Sequence, residues 1–295
     1  MFFGMGKTFK KIFIAVAVVL LLAAVGLGIT FSLVSKAVQK PPDNSPAAFL
    51  AGPRPAEGKK ILVCVGDSIT HGRVSRNYVD LLNQRLGPKG FVVINAGING
   101  ELAYNVLQRL DEVIACKPDY ITVLIGTNDA NAALSEENGE RAVREMKLPQ
   151  KPTKLLYRKH LSEIGERLKA ETSAQIAFLS LPPIGEERDN RAYVQTEDYS
   201  LVVQQVARGL DITYLPLFET MDQFLFQHPD RHPVSYDDHP RYVMYEGIFM
   251  QYVLGKSYDD VSRRNGFLLL TDHLHINRTG AEMIADLVER FIEGN

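Results

Sequence analysis

The fold is decided by the stretch Ile61-Leu62-Val63-Cys64-Val65-Gly66-Asp67-Ser68, in which five consecutive apolar residues run directly into a polar turn. A continuous apolar run of this length is typical of a parallel strand that is covered on both faces. Similar runs follow at 91–94, 120–125, 176–181 and 212–215. The sequence therefore predicts a sheet of about five parallel strands.

Helical patterns separate these runs. Apolar residues recur three or four positions apart in the segments 78–86, 102–113 and 156–168, which is the spacing of one helix face. The charged segment 131–152 is predicted to be a solvated helical excursion. A last helix is predicted where Thr279 to Glu282 have capping-box spacing. Alternation of strands and helices predicts an α/β fold with a doubly wound sheet.

The N-terminal region has a different character. Residues 12–34 form a run of 23 residues without a charge, long enough at about 1.5 Å per residue to cross a hydrocarbon core of about 30 Å. Lys7, Lys10 and Lys11 precede this run, and no acidic residue occurs before Asp43. This pattern predicts a membrane anchor with a cytoplasmic N-terminus and an extracytoplasmic remainder. Secretion after cleavage of a signal peptide is the alternative.

The predicted organisation has three parts. Residues 1–36 form the cytoplasmic stub and transmembrane anchor, and residues 37–58 form a proline-rich linker that is expected to be extended. Residues 59–295 form one catalytic domain. Within this domain, residues 217–265 form a helical, cap-like insertion rich in aromatic residues and methionine. Single residues there are expected to pack in the core, although the segment is also a candidate lid.

Charge and cysteine content exclude some classes of function. The chain carries a formal charge of −2, and residues 1–40 hold five basic and no acidic side chains, so the remainder is acidic at −7. An acidic domain of this kind is not expected to bind nucleic acid. Cys64 and Cys116 fall at different heights relative to their strands, so both are predicted to be buried free thiols. No oligomeric state is predicted.

Polar residues follow the first three predicted strands at the point where each strand ends. Ser68 follows the first strand, Gly100 lies in the glycine-bearing turn after the second, and Asn128 follows the third by three residues. The carboxyl ends of parallel strands meet at one edge of the sheet, where ligands bind. We therefore expect these three residues to converge.

A fourth motif supplies an acid-base pair. A serine hydroxyl is a poor nucleophile until a base accepts its proton, and imidazole suits this role near neutral pH. Asp272 and His275 lie three residues apart before the last helix, so the carboxylate can orient the imidazole towards Ser68. The N–H groups of Ser68 and Gly100 and the amide of Asn128 would then stabilise the oxyanion.

These motifs resemble the SGNH, or GDSL, hydrolase superfamily. The matching blocks are Gly66-Asp67-Ser68, Gly100, Gly126-Thr127-Asn128-Asp129 and Asp272-His273-Leu274-His275, in that order along roughly 60–295. The resemblance implies a flavodoxin-like three-layer α/β/α fold and hydrolysis of esters or thioesters without a metal or other cofactor. A proline usually follows the last histidine of the family, whereas this chain has Ile276.

The substrate and two other functions remain open at this level. The long insertion fits lipid or acyl esters, whereas an extracytoplasmic anchor fits O-acetylated sugars of the cell envelope. One alternative is a membrane-tethered binding or assembly protein with little turnover. Another is a metal phosphoesterase that uses residues with metal-ligating side chains in the insertion, namely His228, His232, Asp237, Asp238 and His239. His273, next to the acid-base pair, is expected to be structural.

Overall fold

The computed structural model describes residues 7–237 and 240–294. Its centre is a sheet of five strands: β1 (Lys60–Gly66), β2 (Phe91–Gly97), β3 (Tyr120–Leu124), β4 (Gln175–Leu179) and β5 (Thr213–Leu215). The strands lie in the order β2-β1-β3-β4-β5, and every neighbouring pair is parallel. This is the strand order of flavodoxin-like doubly wound sheets, so the predicted fold class is confirmed.

Helices flank the sheet. Among them α4 (Tyr78–Leu86) packs against α14 (Arg278–Glu293), and α9 (Lys154–Glu171) packs against α5 (Ala103–Gln108) and α10 (Arg191–Gly209). The helices of the described residues are α1 (Lys7–Gln39), α2 (Pro46–Ala51), α3 (Ser68–His71), α4 (Tyr78–Leu86), α5 (Ala103–Gln108), α6 (Leu110–Ala115), α7 (Thr127–Ala132), α8 (Glu136–Met146), α9 (Lys154–Glu171), α10 (Arg191–Gly209), α11 (Leu217–Phe226), α12 (Pro240–Tyr252), α13 (Tyr258–Asn265) and α14 (Arg278–Glu293).

The strand residues are buried continuously, as the apolar runs predict. In β1 the side chains from Leu62 to Val65 are fully buried. Cys64 and Cys116 are both free and buried, which confirms that prediction. Burial raises the pKa of Cys64 to about 12 and that of Cys116 to about 11, so both thiols stay protonated at neutral pH.

Helix α1 belongs to a separate compact unit, and the chain from Pro41 onwards forms the other unit. Within the segment Lys10–Gln39 of α1 a window of 18 residues has a mean hydropathy of 3.0, and large apolar side chains of this helix, such as Leu20 and Phe31, are exposed. This helix is long and apolar enough to cross a membrane, a property that an N-terminal signal sequence shares.

The linker prediction is wrong for residues 42–51. Ser45 caps α2 by accepting the N–H of Ala48, and Pro46 occupies the first position of this helix, where its missing N–H costs nothing. The side-chain amide of Asn44 donates to the backbone carbonyl of Val93 in β2, and the backbone carbonyl of Asn44 accepts the N–H of Asn95. The side chain of Phe49 packs against the core. This part of the chain is therefore anchored to the sheet.

The segment 217–265 contains three helices with different surroundings. The apolar side of α11 lies in the main core, in agreement with the expected packing. The segment also reaches the loop that follows α3, because the hydroxyls of Tyr252 and Tyr258 donate to the carbonyl of Arg73 at 2.6 and 2.5 Å. Movement of this segment as a lid stays a prediction.

The last helix begins slightly earlier than its capping-box spacing predicts. Asn277, and not Thr279, caps α14 by accepting the N–H of Gly280 at 3.1 Å. The predicted apolar stripe of α14 does face the core, with Ile284, Leu287 and Val288 buried. Because Asn277 caps α14, the loop that carries Asp272 and His275 ends at Ile276.

Candidate active site

The hydroxyl of Ser68 lies where β1 ends and the short helix α3 begins. Asp67 caps α3 by accepting the N–H of Ile69 at 3.0 Å. Helix α3 can approach the sheet edge closely because β2 ends in Gly97, where a Cβ atom would lie 2.2 Å from the backbone nitrogen of His71. The structure thereby holds Ser68, with 8% of its surface exposed, against the carboxyl ends of β1 and β2.

The loop that carries Asp272 and His275 is a tight turn. Leu270 and Ile276 form an antiparallel bridge across its base. One oxygen of Asp272, Oδ1, accepts the N–H groups of Leu274 and His275 at 2.7 and 2.9 Å. The carboxylate therefore shapes the loop as well as contacting the imidazole.

Ile276, at the position where the family usually has proline, makes a contact that proline cannot make. Its N–H donates to Oγ of Ser75 at 3.1 Å, and its carbonyl accepts the N–H of Arg76 at 2.9 Å. Proline has no N–H to donate. Since Ser75 and Arg76 lie in the loop after α3, these bonds tie the Asp272–His275 loop to the segment that carries Ser68.

The structure brings the three predicted side chains into one row of hydrogen-bonding contacts, here called the Ser68–His275–Asp272 row. Oγ of Ser68 lies 2.9 Å from Nε2 of His275, although 207 residues separate them in the chain. Nδ1 of His275 lies 2.9 Å from Oδ2 of Asp272. All three residues are buried. With Nδ1 protonated, Nε2 is free to accept the proton of the Ser68 hydroxyl.

The environment of the Ser68–His275–Asp272 row favours an ionised Asp272 and a protonated His275. Burial lowers the pKa of His275, but the charge and hydrogen bond of Asp272, with the charge of Asp67, outweigh it, so the pKa lies above the ordinary 6.5. Burial raises the pKa of Asp272, but the His275 ring and two backbone N–H groups together lower it by more, so the pKa lies below its ordinary value. The carboxylate of Asp272 is therefore ionised at neutral pH.

The predicted oxyanion donors Gly100 and Asn128 lie in turns that meet at Asp67, the residue before Ser68. Gly100 has a φ of +78°, a conformation that glycine adopts without strain. The amide of Asn128 donates to the carbonyl of Glu101 at 3.0 Å and lies 3.4 Å from Oδ2 of Asp67, the residue before Ser68. The turn after β2 and the start of α7 after β3 thus meet next to Ser68.

An ion pair beneath these turns was not anticipated from the sequence. Arg109 donates through Nη2 to the carbonyls of Ala96 and Gly66, at 2.8 and 3.3 Å, and through Nε to Glu101 at 2.7 Å. It thereby holds together the ends of β1 and β2. The sequence offers only a weak signal for it, namely a single arginine that follows the apolar stripe of a helical segment.

Two buried carboxyl groups near the Ser68–His275–Asp272 row have raised pKa values. Burial raises the pKa of Asp67 and of Asp129 to about 7, although each accepts backbone N–H groups. Asp129 also accepts the N–H of Ala103 at 3.0 Å, which joins the start of α7 to that of α5. Both acids therefore help to support the turns around Ser68.

The other histidines have different positions. His273 is buried, its ring packs edge-on against Tyr236 and Phe267, and its carbonyl accepts the N–H of Gly185, as expected for a structural residue. His71 contacts Asn99 through Nδ1 at 2.7 Å. Within residues 7–237 and 240–294 no cluster of three metal-ligating side chains occurs. Asp238 and His239, two of the proposed metal ligands, lie outside these residues.

Comparisons with known proteins agree with this arrangement. The sequence profile of the GDSL-like Lipase/Acylhydrolase family matches residues 64–282, a span that contains every block named above. A comparison with curated protein sequences finds no match.

Several solved structures have the same fold. An acetyl xylan esterase, AlAXEase, is similar with a TM-score of 0.57 and 18% identity over 79% of this chain and 99% of that chain. A lipase/acylhydrolase from Enterococcus faecalis is similar with a TM-score of 0.53 and 22% identity over 80% of this chain and 96% of that chain. Axe2, an acetylxylan esterase from Geobacillus stearothermophilus, has a TM-score of 0.54 and 18% identity over 79% of this chain and 93% of that chain. At these identities the likeness concerns the fold.

Proposed function

Because the chain belongs to the GDSL-like lipase/acylhydrolase family and is an ester-bond hydrolase, we propose that Ser68, His275 and Asp272 are its catalytic triad. The proposal is carried by one observation, the pair of 2.9 Å contacts from Ser68 to His275 and from His275 to Asp272. Nucleophile, base and orienting carboxylate thus have the geometry of an activated serine.

Acylation follows from this geometry. Nε2 of His275 accepts the hydroxyl proton while Oγ of Ser68 forms a bond to the carbonyl carbon of the ester. The carbonyl oxygen takes the displaced electron pair, and fixed N–H donors stabilise its charge. His275 then gives the proton to the leaving alcohol as the ester C–O bond breaks, and the acyl group remains on Ser68.

Deacylation repeats these steps with water. His275 accepts a proton from water as the water oxygen attacks the acyl carbon. The bond to Oγ of Ser68 then breaks, the proton returns to Oγ, and a carboxylic acid leaves. Throughout the cycle the ionised Asp272 stabilises the imidazolium, which agrees with its lowered pKa.

The oxyanion donors of the proposed mechanism are the N–H groups of Ser68 and Gly100 and the amide of Asn128. Replacement of this amide (Asn128→Ala) is expected to lower kcat by roughly 100- to 1000-fold with little change in KM, because the lost hydrogen bond is strongest in the transition state. Steady-state kinetics with p-nitrophenyl acetate measure this effect. Asn83→Ala, on the exposed side of α4, is the control and should behave as wild type. An Asn128→Ala enzyme with wild-type kcat would exclude the amide as a donor.

For the substrate, we infer a short acyl group, such as an acetyl ester of a sugar. Polar groups lie next to Ser68, namely the carboxylate of Asp67 and the amide of Asn128, which contacts Asp67 and donates to the Glu101 carbonyl. The large apolar side chains Tyr242 and Tyr245 of α12 are instead more than half exposed. Two of the similar structures are acetyl xylan esterases, which supports the same class.

A series of p-nitrophenyl esters with acyl chains of two, four and eight carbons tests this inference. Since an unfilled or overfilled acyl site changes transition-state binding, kcat/KM for the acetyl ester is expected to exceed that for the octanoyl ester by at least about ten-fold. The series should be measured below the critical micelle concentration of every ester. A maximum at eight carbons would contradict the short-acyl inference and favour lipid or long acyl esters.

Helix α1 is proposed to anchor the chain, with its N-terminus in the cytoplasm and the catalytic domain outside. Its length and hydropathy and the lysines that precede its apolar run support this orientation. An extracytoplasmic enzyme would meet acylated sugars of the cell envelope directly.

A further inference from the structure

The carboxylate of Glu186 lies at an unusual place for a charge. Glu186 belongs to the loop after β4, and its side chain is fully buried. Its Oε1 atom accepts the backbone N–H groups of Leu268, Leu269 and Leu270, at 3.1, 2.7 and 2.9 Å. One carboxylate oxygen thus gathers the N–H groups of three consecutive residues.

Arg231 completes the environment of this carboxylate. Its Nη1 donates to Oε2 of Glu186 at 2.5 Å, and its Nη2 donates to the carbonyl of the same residue. Arg231 lies between α11 and α12, in the segment 217–265, and only 13% of its side chain is exposed. The buried negative charge is therefore paired and hydrogen-bonded, as a buried charge needs to be.

The three residues held by Glu186 lead directly into the catalytic loop. Leu270 forms the bridge to Ile276 at the base of the loop, and Asp272 follows two residues later. A parallel contact acts on the loop itself, since the N–H of Gly185 donates to the carbonyl of His273 at 2.9 Å. The loop after β4 is thereby bonded both to residues 268–270, which precede the Asp272–His275 loop, and to His273 within that loop.

Folding stability alone is an incomplete explanation for this arrangement. Burial raises the pKa of Glu186, whereas the N–H groups of Leu268 to Leu270 and the charge of Arg231 oppose the shift. An apolar residue at this site would avoid burying a charge, but it would leave three backbone N–H groups without their acceptor. What the carboxylate adds is direction, because its bonds fix the orientation of three successive peptide groups.

We propose that Glu186, held by Arg231, is a positioning residue that sets the place of His275 relative to Ser68. This inference rests on the proposed function, since it takes His275 as the base. Catalysis is sensitive to such placement, and a displacement of about 1 Å can cost roughly 100-fold in rate. The hydrogen bonds of the Glu186 side chain go to Leu268, Leu269, Leu270 and Arg231, so its effect on His275 passes through the loop.

The test compares Glu186→Ala, Glu186→Gln and Arg231→Met in the full-length chain in detergent. Glu187→Gln is the matched control, because the neighbouring Glu187 bonds Ser235 and not the catalytic loop. For each variant, kcat and KM are measured per active site, together with the rate of inactivation by a fluorophosphonate and the thermal unfolding midpoint.

The expected result is a loss in kcat without a loss in substrate binding. Glu186→Ala should lower kcat and the inactivation rate in parallel, by about 10- to 100-fold, with KM changed less than about two-fold. Glu186→Gln should recover part of this loss, because its Oε1 can still accept the three N–H groups. Arg231→Met should lower kcat less than Glu186→Ala does, and Glu187→Gln should match wild type.

Two outcomes separate this inference from the function on which it rests. If folded Glu186 variants keep wild-type kcat while Ser68→Ala is inactive, the positioning role is wrong and the triad stands. If Ser68→Ala stays active, the proposed triad itself is wrong. Should Glu186→Ala fail to fold, Glu186→Gln and Arg231→Met decide, and a wild-type kcat in both overturns the proposal.

Discussion

The variant Ser68→Ala is expected to lose almost all ester hydrolysis, with kcat/KM reduced by a factor on the order of 10⁴ to 10⁶. Without Oγ no acyl-enzyme can form, and His275 has no hydroxyl to activate. Residual turnover above the uncatalysed rate would come from the oxyanion donors acting on water. The measurement is the rate of p-nitrophenyl acetate hydrolysis by purified variant and wild type at equal concentration.

The folded state should tolerate this change. Within the part of the chain that the structure describes, the hydroxyl of Ser68 forms its hydrogen bond with His275. Alanine is also compatible with the first position of a helix. The thermal unfolding midpoint is therefore expected to stay close to that of wild type. Ser45→Ala, which removes the cap of α2, serves as a serine control and should keep full activity. A Ser68→Ala protein that hydrolyses the ester at the wild-type rate would refute the nucleophile.

The second large effect is expected for Asp272→Asn, with kcat reduced about 10⁴-fold. Asparagine can keep its Oδ1 atom on the N–H groups of Leu274 and His275, so the loop is expected to hold its shape. Its NH₂ group, however, would face Nδ1 of His275 and require that nitrogen to accept. The proton then moves to Nε2, where it prevents the ring from accepting the proton of Ser68.

The same variant should also shift the pH dependence. Catalysis needs neutral His275, so kcat/KM of wild type should fall as pH drops through the pKa of His275, which lies above 6.5. Asp272→Asn removes the main cause of that rise and leaves burial, the largest single influence, which lowers the pKa against the smaller raising effect of the Asp67 charge. The acid limb of the residual activity should therefore move to lower pH.

The profile of kcat/KM between pH 4 and 9 measures this shift. The carboxyl of Asp67, whose pKa of about 7 falls in the same range, is present in both enzymes, so the two profiles are compared by the shift of the whole acid limb. Asp286→Asn, at the exposed ion pair with Arg85, is the control and should show the wild-type profile. An acid limb that remains in place in Asp272→Asn would contradict the assignment of Asp272 as the partner of His275.

Much of the fold follows from local features of the sequence. Continuous apolar runs predict buried parallel strands, and in such a sheet the residues after β1, β2 and β3 must lie at one edge. The proximity of Ser68, Gly100 and Asn128 is a consequence of that rule. The position of His275 is less constrained locally and rests on the resemblance of the final motif.

Other features depend on contacts that no local pattern reveals. The bonds to Glu186 join residues more than 80 positions apart, and Arg109 reaches two strand ends from the junction between α5 and α6. The short helix α2 was missed for a different reason. A serine cap followed by proline is a helix-start signal, but the high proline content of the segment favours an extended interpretation.

The most direct test of the account is covalent labelling of the folded full-length protein with a fluorophosphonate, followed by mass spectrometry of its peptides. The account predicts a single adduct per chain, located on Ser68 and absent from Ser68→Ala. It also predicts that ester hydrolysis falls in proportion to the fraction labelled. Full hydrolysis by a protein whose Ser68 is completely modified, or an adduct on a different residue that abolishes activity, would contradict it.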